Sequence, residues 1–332
     1  MFKDIYLIFN PVSGQGDPVS ELAIIQSIID EKTEGKANLT VLETTPSQAA
    51  DQLAKIAVEN GADCVIASGG DGTVSAVAGA LIERPIPLGI VPRGTANAIA
   101  VAFGISNNVR IATETILEST TIQVDVANCN GKPLMLLAGI GLEADVILQA
   151  NRQLKDRIGT AAYILSAFQQ VQDLDIFKVE LETFDRVIQV EASGVTVANI
   201  APATSVLAQG TPTVVPYDGL LDVTIFAPAG TGGAIAASYN LFQSALNRRS
   251  TNREDIGYFR CQAVRIATEP PQNVVLDGEI IGETPVEIVC IPKGLTLIVP
   301  ADSNFDPPEK LAGLPGLDIR YKEGRSPKTQ SA

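Results

Sequence analysis

The chain has 332 residues, 45% hydrophobic and 19% charged, the make-up of a compact one- or two-domain protein. Its 24 Lys and Arg stand against 38 Asp and Glu, a net charge of −14, which lacks the basic footprint that nucleic-acid binding needs. Histidine is absent, so imidazole metal ligands, Ser-His-Asp hydrolysis and Cys-His proteolysis are excluded, and a metal would sit on oxygen.

The start, Met1-Phe2-Lys3-Asp4-Ile5, runs into a strand pattern without the features of a signal peptide, and a cytoplasmic address is expected. Ile5 to Phe9 is a short apolar run, Asn10-Pro11-Val12-Ser13-Gly14-Gln15-Gly16 supplies turn chemistry, and Glu21 to Asp30 has helical spacing. The same strand, loop and helix pattern returns as Leu39–Leu42 with Ser47–Glu59, Cys64–Ala67 with Thr73–Ile82, and Leu88–Val91 with Thr95–Phe103. Four such units predict a parallel sheet covered by helices.

From about Thr121 the alternation stops. Strands are expected at Ile122–Ala127, Val179–Thr183, Val187–Ala192, Val195–Ala198, Leu221–Phe226, Val264–Ala267, Val286–Ile291 and Leu295–Val299, forming a mostly antiparallel β-sandwich. Helices are expected near Arg157–Gln172 and Gly233–Leu246. The resulting division is an α/β domain over 1–125, a β-sandwich domain over 126–302, and a poorly ordered tail over 303–332. The apolar stretches Leu134–Ala150 and Val195–Pro216 are interrupted by acids or prolines, so neither predicts a spanning helix. Cys64, Cys129, Cys261 and Cys290 are widely spaced among mostly apolar neighbours and read as buried reduced thiols.

Ligands of open parallel sheets bind at the carboxyl ends of the strands. Three of the four strands here run into Asn10–Gly16, Gly69-Gly70-Asp71-Gly72-Thr73 and Gly94-Thr95-Ala96-Asn97, loops that can converge on one crevice. The glycines let backbone N–H groups approach phosphate oxygens, and the helix starting near Thr73 aims its positive end at them. Asp71 would repel that phosphate unless a cation such as Mg²⁺ lies between. The P-loop is absent, since Gly35-Lys36-Ala37 and Gly131-Lys132-Pro133 lack its glycine spacing and its Ser or Thr, and no GxGxxG follows a strand.

Asn10-Pro11-Val12-Ser13-Gly14, Ser68-Gly69-Gly70-Asp71-Gly72-Thr73 and Pro92-Arg93-Gly94-Thr95-Ala96-Asn97 resemble successive motifs of the diacylglycerol kinase catalytic-domain family, most of all its bacterial soluble lipid kinases. Gly139-Ile140-Gly141-Leu142-Glu143-Ala144, Tyr217-Asp218-Gly219-Leu220-Leu221-Asp222 and Leu276-Asp277-Gly278-Glu279 continue the resemblance to about residue 300. It implies an α/β domain like that of NAD kinase and phosphofructokinase, followed by an antiparallel β-sandwich. It further implies that Asn10, Ser13, Gly69, Gly70, Asp71, Gly72 and Thr73 hold the phosphates of ATP, that Asp71 faces Mg²⁺, and that Gly94, Thr95 and Asn97 lie on the nucleotide. Thr44 or Thr45 would meet the adenosine side. Asp277 would be the general base that takes the lipid hydroxyl proton, and its loop, Asp277, Gly278 and Glu279, would also lie on the nucleotide. A structural Mg²⁺ would sit on Asp218 and the carbonyls of Val215 and Leu220, where the alternative is a plain turn. The family commonly has Asp after its Gly-Thr-x-Asn run, whereas Ala98 stands here.

The implied function is transfer of the ATP γ-phosphate to a hydroxyl of a lipid such as diacylglycerol or phosphatidylglycerol. An NAD kinase-like enzyme is the rival, although the Asn-Glu pair of that group occurs nowhere in the chain. A catalytically silent regulator is the other, but Asp71, Gly72 and Asp277 are all present. Arg152, Lys155 and Arg157, and again Arg248, Arg249 and Arg253, suit peripheral contact with an anionic bilayer and suit equally an exposed helix end. A sandwich edge could also pair in a homodimer.

Overall fold

The computed structural model describes residues 2–14, 16–118, 121–142, 144, 175–201, 208, 210, 214–247, 251–300 and 314–321. The expected helix near Arg157–Gln172, and Glu143, Arg152, Lys155, Arg157, Arg248 and Arg249, lie outside these residues.

Strands β1 (Asp4–Phe9), β2 (Asn38–Glu43), β3 (Cys64–Gly69) and β4 (Leu88–Pro92) pair in parallel in the order β4-β3-β1-β2. The two central strands and β4 are buried along almost their whole length, as continuous apolar runs between helix layers must be. Helices α1 (Pro18–Thr33), α2 (Ala50–Glu59), α3 (Asp71–Leu81), α4 (Ala98–Ala102) and α5 (Val109–Glu118) follow them. Asp17 caps α1 by accepting the Ser20 N–H at 2.9 Å, with Pro18 in the first turn where its missing N–H costs nothing.

The second half contains β5 (Thr121–Cys129), β6 (Lys132–Leu134), β7 (Leu137–Gly141), β8 (Phe177–Glu182), β9 (Arg186–Ala192), β10 (Gly194–Ala198), β11 (Leu221–Phe226), α6 (Gly230–Asn247), β12 (Ile256–Cys261), β13 (Ala263–Glu269), β14 (Asn273–Leu276), β15 (Glu279–Glu283), β16 (Val286–Ile298) and β17 (Asp318–Tyr321). One antiparallel sheet runs β12-β11-β10-β7-β14-β15. The other, β17-β9-β8-β13-β16, packs on it through Phe177, Leu181, Ile188, Val195, Val223, Phe259 and their neighbours. The two-part architecture thus matches expectation: a mostly parallel α/β layer, then an antiparallel sandwich.

Three features differ from the sequence reading. The two strands expected at Val286–Ile291 and Leu295–Val299 are one strand, β16, with an irregular register between Ile291 and Leu295. Its far end pairs in parallel with β4, Leu297 opposite Leu88, so both halves share one 11-stranded sheet. Leu295, Leu297, Ile298 and Val299 are accordingly buried in the first core, beside Ile90 and Val91. Within the expected tail, β17 adds an edge strand to β9, and buried Leu314 packs at Gly257, where a Cβ would collide with its side chain. Strands β6, β7, β12, β14 and β15 were not expected: β6 and β14 have only three and four residues, β7 is apolar throughout, and β12 and β15 carry glycine and charged residues within their runs.

Candidate active site

The expected phosphate loops converge. Asn10 follows β1 and donates from Nδ2 to Thr73 Oγ1 at 3.0 Å, which ties the first loop to the first turn of α3. Asn10 also takes the Val12 N–H on Oδ1 at 3.2 Å, and the Ser13 N–H closes the turn on the Asn10 carbonyl at 3.2 Å. Asp71 opens α3 and accepts the Ile99 N–H of α4 at 3.3 Å, so its carboxylate joins the second and third loops.

Glycine in these loops has two distinct uses. A Cβ on Gly94 would stand 2.6 Å from the Gly70 Cα and 2.8 Å from Asn97 Oδ1, so these glycines let two loops touch each other. A Cβ on Gly72 would meet nothing within 4 Å, which leaves the first turn of α3 open to a ligand. Gly69 belongs to the first kind, being packed on Thr73.

Asn97 spends its amide on its own loop: Oδ1 accepts the Gly94 N–H at 2.7 Å, and Nδ2 donates to the Gly94 carbonyl at 2.9 Å and to Asn107 Oδ1 at 3.0 Å. Thr95 between them is exposed. Thr44 hangs beside the first loop through its N–H to the Phe9 carbonyl at 2.9 Å. Thr45 is exposed, and its hydroxyl accepts the Gln48 N–H at 3.1 Å within a local turn.

Sequence reasoning assigned Arg93 no role, yet it organises this end of the sheet. Its Nε donates to Glu21 at 2.6 Å, its Nη1 to the Asn10 carbonyl at 2.8 Å, and its guanidinium lies 4.3 Å over the Phe9 ring. With a side chain only 1% exposed, it fastens the β4 loop to α1 and to the β1 loop. A lone Arg between Pro92 and Gly94 at a strand end was the available signal.

Asp277 comes to this site from the other half of the molecule. Leu276 pairs with Glu279 across a two-residue hairpin in which Asp277 and Gly278 have φ of 49° and 91°, the primed turn that Asp-Gly favours. The turn carries the Asp277 carboxylate onto successive backbone donors: Met135 N–H at 2.9 Å, Leu136 N–H at 2.8 Å and Leu137 N–H at 3.1 Å. The Ser75 hydroxyl of α3 completes the set at 3.2 Å. Burial nevertheless pushes the carboxyl up to about 6, against the pull of those hydrogen bonds. Gly278 and Glu279 are exposed beside it. Asn199, also missed, supports the donor segment by donating from Nδ2 to the Met135 and Asp125 carbonyls, each at 3.0 Å, a role invisible without knowing which strands adjoin.

The expected metal loop is set apart by its own contacts. Buried Asp125 of β5 accepts the Gly219 N–H at 2.6 Å and the Lys293 N–H at 2.7 Å, and donates its own N–H to the Pro216 carbonyl at 2.7 Å. Asp218 accepts the Leu220 N–H at 2.9 Å on Oδ1, and its Oδ2 forms an ion pair with Arg260. Val215 is buried and Leu220 half-buried. The cysteines are free thiols, and burial pushes Cys129 up to about 11 and Cys290 to about 12, so they stay protonated at neutral pH.

The diacylglycerol kinase catalytic domain model matches residues 4–129, and the YegS C-terminal NAD kinase beta sandwich-like domain model matches residues 137–299. The chain belongs to the diacylglycerol kinase catalytic-domain family. As a member it is a lipid kinase, a phosphotransferase. It is 41% identical to an uncharacterized protein of Synechocystis sp. over 91% of this chain and 71% of that one. It is 27% identical to a diacylglycerol kinase of Bacillus subtilis over 90% of this chain and 97% of the relative. The crystal structure of a diacylglycerol kinase from Bacillus anthracis str. Sterne superposes with a TM-score of 0.71 at 25% identity, covering 90% of this kinase and 97% of that chain. Among the described residues, no helix is long and apolar enough to cross a membrane.

Proposed function

We propose that this lipid kinase transfers the γ-phosphate of Mg-ATP to a hydroxyl of a membrane lipid such as diacylglycerol or phosphatidylglycerol, with Asp277 as general base. The observation that carries the reading is the Ser75 to Asp277 hydrogen bond, which sets the carboxylate against the helix whose first turn is the open glycine loop. In-line phosphoryl transfer asks for that juxtaposition, a base beside a phosphate cradle, and little else.

The residues suit a nucleotide bound with a divalent ion. Gly72 leaves room at the start of an 11-residue helix, and the half-buried carboxylate of Asp71 is a hard oxygen donor at the same place. When bound there with the phosphates, Mg²⁺ supplies neutralisation of charge developing on the transferred group. The α3 N-terminus and the loops of Asn10, Ser13, Gly69, Gly70, Thr73, Gly94 and Thr95 orient the phosphates, with Thr44 and Thr45 on the adenosine side. Asn97 shapes its loop. Asp277, ionised above about pH 6, takes the proton of the acceptor hydroxyl as that oxygen bonds to γ-phosphorus and the bond to ADP breaks. Gly278 and Glu279, exposed in the same turn, reach toward the nucleotide.

In this reading residues 1–125 bind nucleotide and 126–302 bind lipid, which approaches by peripheral contact with the bilayer. Transfer of labelled γ-phosphate from Mg-ATP to lipids in mixed micelles, with NAD and soluble sugars in parallel, tests it. Labelled lipid is expected; label in NADP or a sugar phosphate refutes it.

A further inference from the structure

A buried carboxylate that works as a base needs fixed donors, and on the reading of Asp277 as that base, which is taken over here, its donors are themselves held. We propose that Asn199 is the positioning residue of Asp277: it grips the carbonyl ends of two successive peptide groups and so aims their N–H ends at Asp277 Oδ1. The antiparallel register of β10 and β7 sets Ala198 opposite Leu137, and the next residue, the fully buried Asn199, falls beside Leu136. In a trans peptide the C=O and the N–H point in opposite directions, so a bond that fixes one end fixes the other. The peptide joining Met135 to Leu136 is held at its carbonyl by Asn199 Nδ2 at 3.0 Å and gives its N–H to Asp277 Oδ1 at 2.8 Å. The peptide joining Leu136 to Leu137 is held at its carbonyl by the Asn199 N–H at 2.8 Å and the Ile200 N–H at 3.0 Å, and gives its N–H to the same oxygen at 3.1 Å.

A peptide whose carbonyl accepts a hydrogen bond is also the better N–H donor, so the grip of Asn199 strengthens the bonds to the carboxylate as well as aiming them. Nδ2 donates in addition to the Asp125 carbonyl at 3.0 Å, while the buried Oδ1 accepts no hydrogen bond. Turning the amide over would set an oxygen against two carbonyls, so these partners fix which end faces the segment. Asp277 closes the ring from its own side, its N–H donating to the Leu137 carbonyl at 3.0 Å. The ionisable side chains on the described elements that meet Asp277 are Asp71 of α3, Lys132 of β6, and Glu279 and Glu283 of β15. Burial and its four hydrogen bonds nevertheless act on it most, and two of those four run through residue 199.

The test reads Asp277 directly. Its side-chain carboxyl carbon is followed by nuclear magnetic resonance while the nucleotide-free full chain is titrated with acid, in wild type and in Asn199→Leu, which keeps the bulk and loses the donors. Asp277→Asn assigns the signal. The expected result is a midpoint higher by about half a pH unit or more in Asn199→Leu. Lipid turnover in mixed micelles falls about 10–100-fold, the scale of a misplaced catalytic group, while the KM for Mg-ATP holds within about twofold. An unmoved midpoint overturns the assignment, and so does a loss of activity that lies wholly in the KM for Mg-ATP. If Asn199→Leu does not fold, the wild type decides: its Asn199 side-chain amide protons shift with the Asp277 midpoint, a step that Asp277→Asn abolishes. Amide signals that stay flat through that range overturn it. The titration involves no turnover, so a wild-type chain that phosphorylates no lipid refutes the kinase reading, whereas an unmoved midpoint in an active kinase refutes the role of Asn199 alone.

Discussion

The Ser75 hydroxyl donates to the Asp277 carboxylate at 3.2 Å across 202 residues of sequence, joining the helix of the glycine loop to the hairpin turn of the sandwich. Ser75→Ala removes a bond that lowers the Asp277 pKa, so the acid limb of the rate profile, expected near pH 6, moves to higher pH. Turnover at neutral pH falls by several fold while ATP affinity holds. Ser75→Thr restores the hydroxyl and the midpoint. An unshifted profile in Ser75→Ala refutes this role.

Asp277→Asn lowers turnover by roughly 10²–10⁴-fold, the span of a lost general base. Mg-ATP binding, measured by calorimetry, is expected to stay within about twofold, since most of the proposed phosphate contacts come from the loops of Asn10, Gly72 and Gly94. Full activity in the variant removes Asp277 from the chemistry.

Asp277 also makes a signed contribution to stability. Its folded pKa of about 6 stands above the unfolded value of 3.8, so between these the folded chain binds more protons. This group therefore favours folding most below about pH 4, and that advantage is lost as pH rises to about 6. Denaturation of wild type and Asp277→Asn at pH 4 and pH 7 checks the sign: wild type loses stability relative to the variant on going up.

Gly72→Ala and Gly94→Ala separate the two uses of glycine. Alanine at 72 faces open space in a helix, so it stabilises by up to about 1 kcal/mol and weakens ATP binding by obstructing the phosphate approach. Alanine at 94 collides with the Gly70 Cα and costs about 1–3 kcal/mol. Thermal melts with and without Mg-ATP report both; unimpaired ATP binding in Gly72→Ala argues against a phosphate cradle there.

Asp71→Asn is expected to weaken Mg²⁺-dependent nucleotide binding as well as rate, because an amide is a poorer ligand for a hard cation. The Ile99 N–H can still be accepted by the amide oxygen, so the fold remains. Mg²⁺ titrations of ATP binding that match the wild type assign Asp71 a purely structural place.

The parallel half was legible because β1, β3 and β4 are short apolar runs that each end in turn residues, and those turns fall at one end of the sheet by topology alone. The Asp-Gly pair signals a tight turn for the same local reason, that Asp and Gly tolerate positive φ, but the short strands β14 and β15 on either side of it were not expected. What Asp277 touches was not. Its donors Met135, Leu136 and Leu137 are backbone groups about 140 residues away in an apolar stretch with no chemical signal. Arg93 and Arg260 read as unremarkable charges until packing buried them against Glu21 and Asp218. Local sequence determined turn chemistry and strand patterning, since these depend on neighbouring side chains. Only the tertiary structure decided which carboxylates are desolvated, which are paired, and how β16 joins both halves in one sheet, because burial and pairing are properties of strands brought together from distant parts of the chain.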